Sequence, residues 1–312
     1  MQIDVRRFAR PLARAVRCLR PMRPQKTLRT PVSIEGIGLH TGHPVRATFR
    51  PAPEDHGIVF RREDHPSVAL PALPGSALGF DHATTLGAGA VQVGTVEHAL
   101  SAACGLGIDN LDIEVRGDEL PILDGSALPF VRLFQAAGIE RQQRPARVLA
   151  IERRTEVRRG DKSITVRPGR GLTITYEIDF PHRAIGHQSM TLHVEPETYA
   201  SRIAPARTFG FTHEIHYLRE RGLARGGSLQ NAIVLDEQNI LSGPLRFADE
   251  FVRHKILDLL GDLALLGRPV EGRIHARKAG HALHAELVRA LAGEAARPAA
   301  AVAFGAEPSF AG

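Results

Sequence analysis

The sequence predicts an α+β fold of two domains. Three observations carry that expectation: short runs in which apolar and polar residues alternate, longer runs with apolar residues at helical spacing, and strands followed by helices in each half. At 312 residues, 43% hydrophobic and 24% charged, the chain is long enough for each half to bury its own core.

In the first half, residues 32–37 read as a strand, Gly38 to Gly42 as a turn and 44–49 as the partnering strand. Residues 95–104 read as a helix that Thr95 caps and Gly105 ends. Leu111, Ile113 and Val115 alternate with Asp112 and Glu114, which makes 110–115 a half-buried strand. Ser126 can cap a second helix running to Gly138. The polar stretch 141–145 reads as a linker. Beyond it, 163–166 and 172–180 read as a hairpin joined by the Pro-Gly-Arg-Gly turn at 168–171, and helices follow at 246–266 and 281–291. The expected division is an Arg-rich disordered extension at 1–24, a first α+β domain at 25–145, a second at 146–295 and a tail at 296–312.

The net charge of +6 belongs to that extension, where seven Arg stand against Asp4; the other 33 basic residues are balanced by 33 acidic ones. A basic extension on a neutral body gives no nucleic-acid-reading surface. Arg recurs in it too often for a secretory signal. It reads as a dispensable addition, with Met22 as another possible start. No run approaches the ~20 apolar residues needed to cross a bilayer, so membrane contact is expected to be peripheral at most. With only Cys18 and Cys104, a disulfide framework and a cysteine-rich zinc site are excluded, which fits a reducing cytoplasm.

Chemistry concentrates in the helix at 246–266. It is apolar around most of its circumference and therefore buried, yet it carries His254, Asp258 and Asp262 at i, i+4, i+8. Residues four apart share a face, so His254 and Asp258 can reach one ion. Buried carboxylates need a cation or donors opposite them. A polar stripe on a solvent-facing edge is the alternative. A catalytic zinc takes three His or carboxylate ligands and leaves a position open. Glu97-His98 in the first-domain helix can supply the third ligand with a general base beside it, and Lys278-Ala-Gly-His281 adds a further His.

Together these segments resemble the UDP-3-O-acyl-N-acetylglucosamine deacetylases of lipid A synthesis. The resemblance rests on Glu-Gly-Ile-Gly-Leu-His-Thr-Gly at 35–42 and on the segments 94–111, 119–131, 206–212, 222–237, 249–264 and 278–282, in the family's order. It implies two similar α/β sandwich domains with helices packed between two mostly antiparallel sheets. It also implies zinc on His98, His254 and Asp258, Glu97 as general base towards water, and His281 as proton donor to the leaving amine. Asp262 would orient His281, and Thr208 would help to stabilise the oxyanion. An insert after Thr208-Phe209-Gly210-Phe211 and up to Gly226-Gly227-Ser228 would admit the acyl chain, with Phe209 contacting the substrate. Lys255, Phe180 and Lys278 would contact the nucleotide-sugar part of the substrate. The expected partner is this lipid-bearing nucleotide sugar, and the expected state is a cytoplasmic monomer. Two departures from the family pattern stand out: Arg183 where Pro is usual and His284 where Asn is usual. A zinc peptidase and a metal-stabilised binding protein are the rival readings.

Overall fold

The computed structural model describes residues 18–79 and 83–293. The first half contributes β1 (Cys18–Leu28), β2 (Val32–Ile37), β3 (Pro44–Pro51), β4 (Ile58–Arg62), β5 (His65–Pro71), β6 (Ala77–Gly79), β7 (Thr85–Ala88), β8 (Val91–Val93), α1 (Glu97–Leu106), β9 (Leu111–Arg116) and α2 (Leu128–Ala137). The second contributes β10 (Ile139–Ala150), β11 (Thr155–Arg159), β12 (Lys162–Arg167), β13 (Leu172–Phe180), β14 (Gly186–His193), α3 (Pro196–Arg202), β15 (Phe209–Phe211), α4 (Thr212–Glu220), β16 (Ile233–Leu235), α5 (Glu250–Leu263), β17 (Val270–Arg277) and α6 (His281–Ala292). The α+β expectation holds, and the sheets are mixed. In the five-stranded sheet, ordered β2-β3-β9-β4-β5, only β4 and β9 are parallel. In the larger sheet, β17 runs parallel to β10 and β13 but antiparallel to β12. No helix among the described residues is long and apolar enough to cross a membrane.

Each sheet buries one face under helices. Phe49 of β3 meets the rings of Phe130 and Phe134 in α2 edge-on, at 5.9 and 5.0 Å. On the other side α5 packs against β13, β14 and α6. The two layers meet where α1 crosses α5, and a single apolar core continues through both. Gly261 makes that crossing possible, because a Cβ there would lie 2.8 Å from the Glu97 carbonyl carbon and closer still to its oxygen. Gly261→Ala is therefore expected to cost about 1–3 kcal/mol, as overpacking does. Denaturant unfolding would measure it, and an unchanged midpoint would show that the helices have room to spare.

Several local expectations need correction. Residues 141–145 are not a linker but part of β10, paired with β1 through Pro24–Pro145 and Lys26–Arg141. The boundary expected after residue 24 likewise falls inside β1, and the one after 145 inside β10. The expected extension is thus partly strand, and residues 1–17 of it lie outside the described residues, as does the tail at 296–312. The 163–180 segment is not a hairpin, since β17 lies between β12 and β13. Thr95 does not cap α1. It has φ 54°, the cap position is Val96, and the helix ends at Gly107 in the left-handed region rather than at Gly105.

Candidate metal centre and cleft

His254 and Asp258 face the same way from α5, and both are buried. His254 Nδ1 lies 3.1 Å from the Ala206 carbonyl oxygen, which it can satisfy only by carrying the ring hydrogen. Its Nε2 is left facing Asp258 Oδ1 at 3.2 Å. A lone pair opposed to a carboxylate oxygen calls for a positive charge between or on them. His98 on α1 closes the group, its ring 5.2 Å from that of His254 and roughly perpendicular to it. One donor atom from each of the three lies within 4.8 Å of the others. His98 Nδ1 is buried with no hydrogen-bond partner among the described residues. Burial, with His254 next to it, pushes the His98 ring down to about 3, so that it stays neutral and free to donate a lone pair. Two neutral-capable imidazoles and a carboxylate, buried and mutually in reach, fit a divalent cation with a position left open.

Two titratable groups flank this triangle. Glu97 precedes His98, and its Oε2 accepts the Thr84 backbone N–H at 3.0 Å. Burial raises it to about 7 against the opposing pull of His281. His281 opens α6 and places Nδ1 at 2.7 Å from Asp262 Oδ2, while Nε2 faces Asp258 Oδ2 at 3.7 Å. Burial works against its charged form, but Asp262 and Asp258 outweigh burial and raise it to about 9. Asp258 is held well below the usual carboxylate range: burial raises it, and the charges of His254, Lys255 and His281 outweigh that.

These groups line a cleft of about 530 Å³ between the two halves. The sequence of residues 25–293 matches the family model described as UDP-3-O-acyl N-acetylglycosamine deacetylase. The chain belongs to that family. Deacetylases of this name from Myxococcus xanthus and Oleidesulfovibrio alaskensis are each 50% identical to it, over 85% and 86% of this chain and 85% and 88% of theirs. The one from Teredinibacter turnerae is 46% identical over 86% of this chain and 89% of its own. Family membership makes the chain a metal-dependent hydrolase acting on an amide bond.

The remaining residues expected at the family's site divide into two groups. Thr208, Phe209, Phe180 and Lys255 line the same cleft as Glu97, His98, His254, Asp258 and His281. Lys255 is occupied there, its Nζ donating to Asp258 Oδ2 at 2.7 Å. Asp262 sits behind the wall, wholly buried, and reaches the cleft through His281. Lys278 does not line the cleft: its Nζ lies 2.9 Å from Asp179 and 3.3 Å from Asp161, carboxylates that draw it away. Besides Lys255, the cleft is lined by Lys162 and Arg159, the latter paired with Glu286. Sequence reasoning passed over them because nothing in their spacing marks them.

It also passed over the supports. Buried Glu119 accepts the backbone N–H groups of His40 and Thr41, the Thr41 hydroxyl at 2.7 Å and the Thr95 hydroxyl at 2.9 Å. One carboxylate thus ties the Gly38 to Gly42 loop to Thr95, a residue in the strained left-handed region two positions before Glu97. The same loop touches the insert. Gly226 packs on the Gly38 backbone, where a Cβ would lie 3.2 Å from the Gly38 carbonyl carbon. Glu119 stands within a segment that resembles the family, and its signal was the cluster of backbone donors in the glycine-rich loop it faces.

Proposed function

We propose that this chain hydrolyses the N-acetyl group of UDP-3-O-(3-hydroxyacyl)-N-acetylglucosamine, giving acetate and the free glucosamine, the committed step of lipid A biosynthesis, with zinc held by His98, His254 and Asp258. The observation that carries this reading is that Glu97 and His281 line the same cleft as a buried His-His-Asp triangle. When bound, zinc would supply a Lewis acid for the acetamide carbonyl and lower the pKa of the attacking water. His and carboxylate ligands also suit iron, so metal analysis of the purified protein is part of the test.

The side chains account for the proton transfers. Glu97, charged above about 7, takes the proton from water as it attacks the carbonyl carbon. His281 can deliver a proton only from Nε2, because Nδ1 is engaged by Asp262. That nitrogen faces the cleft, where the departing amine accepts it. Charged His281 and the Thr208 hydroxyl meet the oxyanion that develops meanwhile. Lys255, bonded to Asp258, holds that carboxylate in place. Phe180 packs on Phe209 and Phe211 at 5.7 and 6.0 Å, an apolar wall suited to the acyl chain at the mouth of the β15-α4-β16 insert. Lys162 and Arg159 are better placed than Lys278 for the diphosphate.

Acetate release from this substrate, beside a plain N-acetylglucosamine derivative, tests the reading directly. Equal turnover of the two would remove the lipid-nucleotide specificity. The pH dependence has a determined sign. The base must be deprotonated, so kcat/KM rises through about 7. The acid must be protonated, so kcat/KM falls through about 9. A cation beside Glu97 moves the first limb to lower pH. A profile flat from about pH 5 to 9 counts against the pair. We further propose a monomer in the cytoplasm with at most peripheral membrane contact, which sedimentation with and without vesicles would test.

A further inference from the structure

Asp262 is wholly buried, and each of its oxygens has to be matched by a donor. Oδ1 accepts the Thr84 hydroxyl at 2.6 Å. Oδ2 is shared by two rings, His281 Nδ1 at 2.7 Å and His284 Nδ1 at 2.7 Å. A carboxylate oxygen has two lone pairs and can accept both, provided each Nδ1 carries a hydrogen. His284 is itself wholly buried one turn along α6. Burial disfavours its charged form, against the pull of Asp262, which leaves one ring hydrogen. With that hydrogen on Nδ1, Nε2 is an acceptor, and the Tyr176 hydroxyl, 3.0 Å from it and 2.9 Å from the Ala279 carbonyl oxygen, has one hydrogen to give between the two. A line of hydrogen bonds therefore runs from Tyr176 in β13 through His284 and Asp262 to His281, and only its last member touches the cleft.

We propose that His284 is a positioning residue for the hydrolysis: its Nδ1–H pins Asp262 Oδ2 where it receives His281 Nδ1–H, and so keeps His281 Nε2 aimed into the cleft. Asp262, which can only accept, selects the tautomer that makes this possible, since a hydrogen on Nε2 instead would leave a bare Nδ1 facing the carboxylate, and the Tyr176 hydroxyl at Nε2 holds the ring in place. Without the second donor, Oδ2 has one partner rather than two, and the carboxylate gains freedom to turn away from His281. The inference rests on the reading of His281 as the proton donor.

Two polar substitutions separate positioning from mere cross-linking of α5 to α6. Asn presents an amide N–H near the place of Nδ1, and Gln presents one near the place of Nε2. His284→Asn is expected to hold kcat within about threefold, and His284→Gln to lower it on the order of 10–100-fold, with KM and bound zinc unchanged in both. Melting temperatures measured alongside should not follow that order, because Gln keeps the reach to Tyr176 that Asn loses. Equal kcat for the two variants, or a change in KM alone, would overturn the proposal. If His284→Gln fails to accumulate as folded protein, Tyr176→Phe carries the test: a kcat lowered about three- to tenfold supports the relay and an unchanged kcat overturns it. His281→Ala serves as the control. Full turnover in that variant removes the reading of the acid itself. Loss there beside full turnover in His284→Gln removes only the role of His284.

Discussion

His98→Ala is expected to lose both its metal and its acetate release. The three donor atoms within 4.8 Å of one another come from α1 and α5, and His98 is the single contribution of α1. Two ligands four residues apart on one helix do not close a catalytic site, which ordinarily takes three. The loss removes several kcal/mol of charge stabilisation from the transition state. At about 1.36 kcal/mol per decade this amounts to a thousandfold or more in rate. Metal content by plasma emission and acetate release read the two consequences separately. Chelation of the unaltered protein should reproduce the loss, and one equivalent of zinc should restore activity. Full metal content and full turnover in His98→Ala would place the site elsewhere.

The second large effect is expected from the two flanking groups, and it differs in kind. Glu97→Ala and His281→Ala should each lower kcat by about 10²–10⁴ with the metal retained, because general acid and general base catalysis are each worth that much. Their pH profiles should lose opposite limbs. Without Glu97 the acid-side rise, which the bound cation sets below about 7, disappears, and without His281 the alkaline fall disappears. Loss of metal in Glu97→Ala would make this carboxylate a ligand instead of a base. An unchanged alkaline limb in His281→Ala would assign that ionisation to another group.

Much of this centre could be read from the sequence because its spacing is local. His254, Asp258 and Asp262 stand at helical intervals on a segment too apolar to lie at the surface, and all three are buried in α5. The pairing of His98 with that helix could not come from spacing. It depends on α1 crossing α5 at Gly261, a contact between residues far apart in sequence. Non-local pairing also explains the errors in the sheets. β10 is exposed along much of its first half and shows no alternation there, so Arg141 to Pro145 looked like a linker although β1 pairs with it. Likewise β17 enters between β12 and β13 from about a hundred residues downstream, and no local pattern announces it. Lys278 was drawn towards the substrate by its motif, but charge alone does not say which carboxylates hold it. His284 stood out only as an unexpected residue type, and its meaning depends on Tyr176 and Asp262 lying on either side of its ring.

The crossing of α1 and α5 also orders events during synthesis. A ribosome has made Glu97 and His98 long before His254, Asp258 and His281 emerge, and domains tend to fold as they appear. The early half can bury its phenylalanines against α2 while it still holds only His98 of the three grouped donors. On the proposed assignment of the site, hydrolytic power arrives late, when the last helices dock. Metal uptake by nascent chains halted at successive lengths would rise in one step once α5 is free to meet α1.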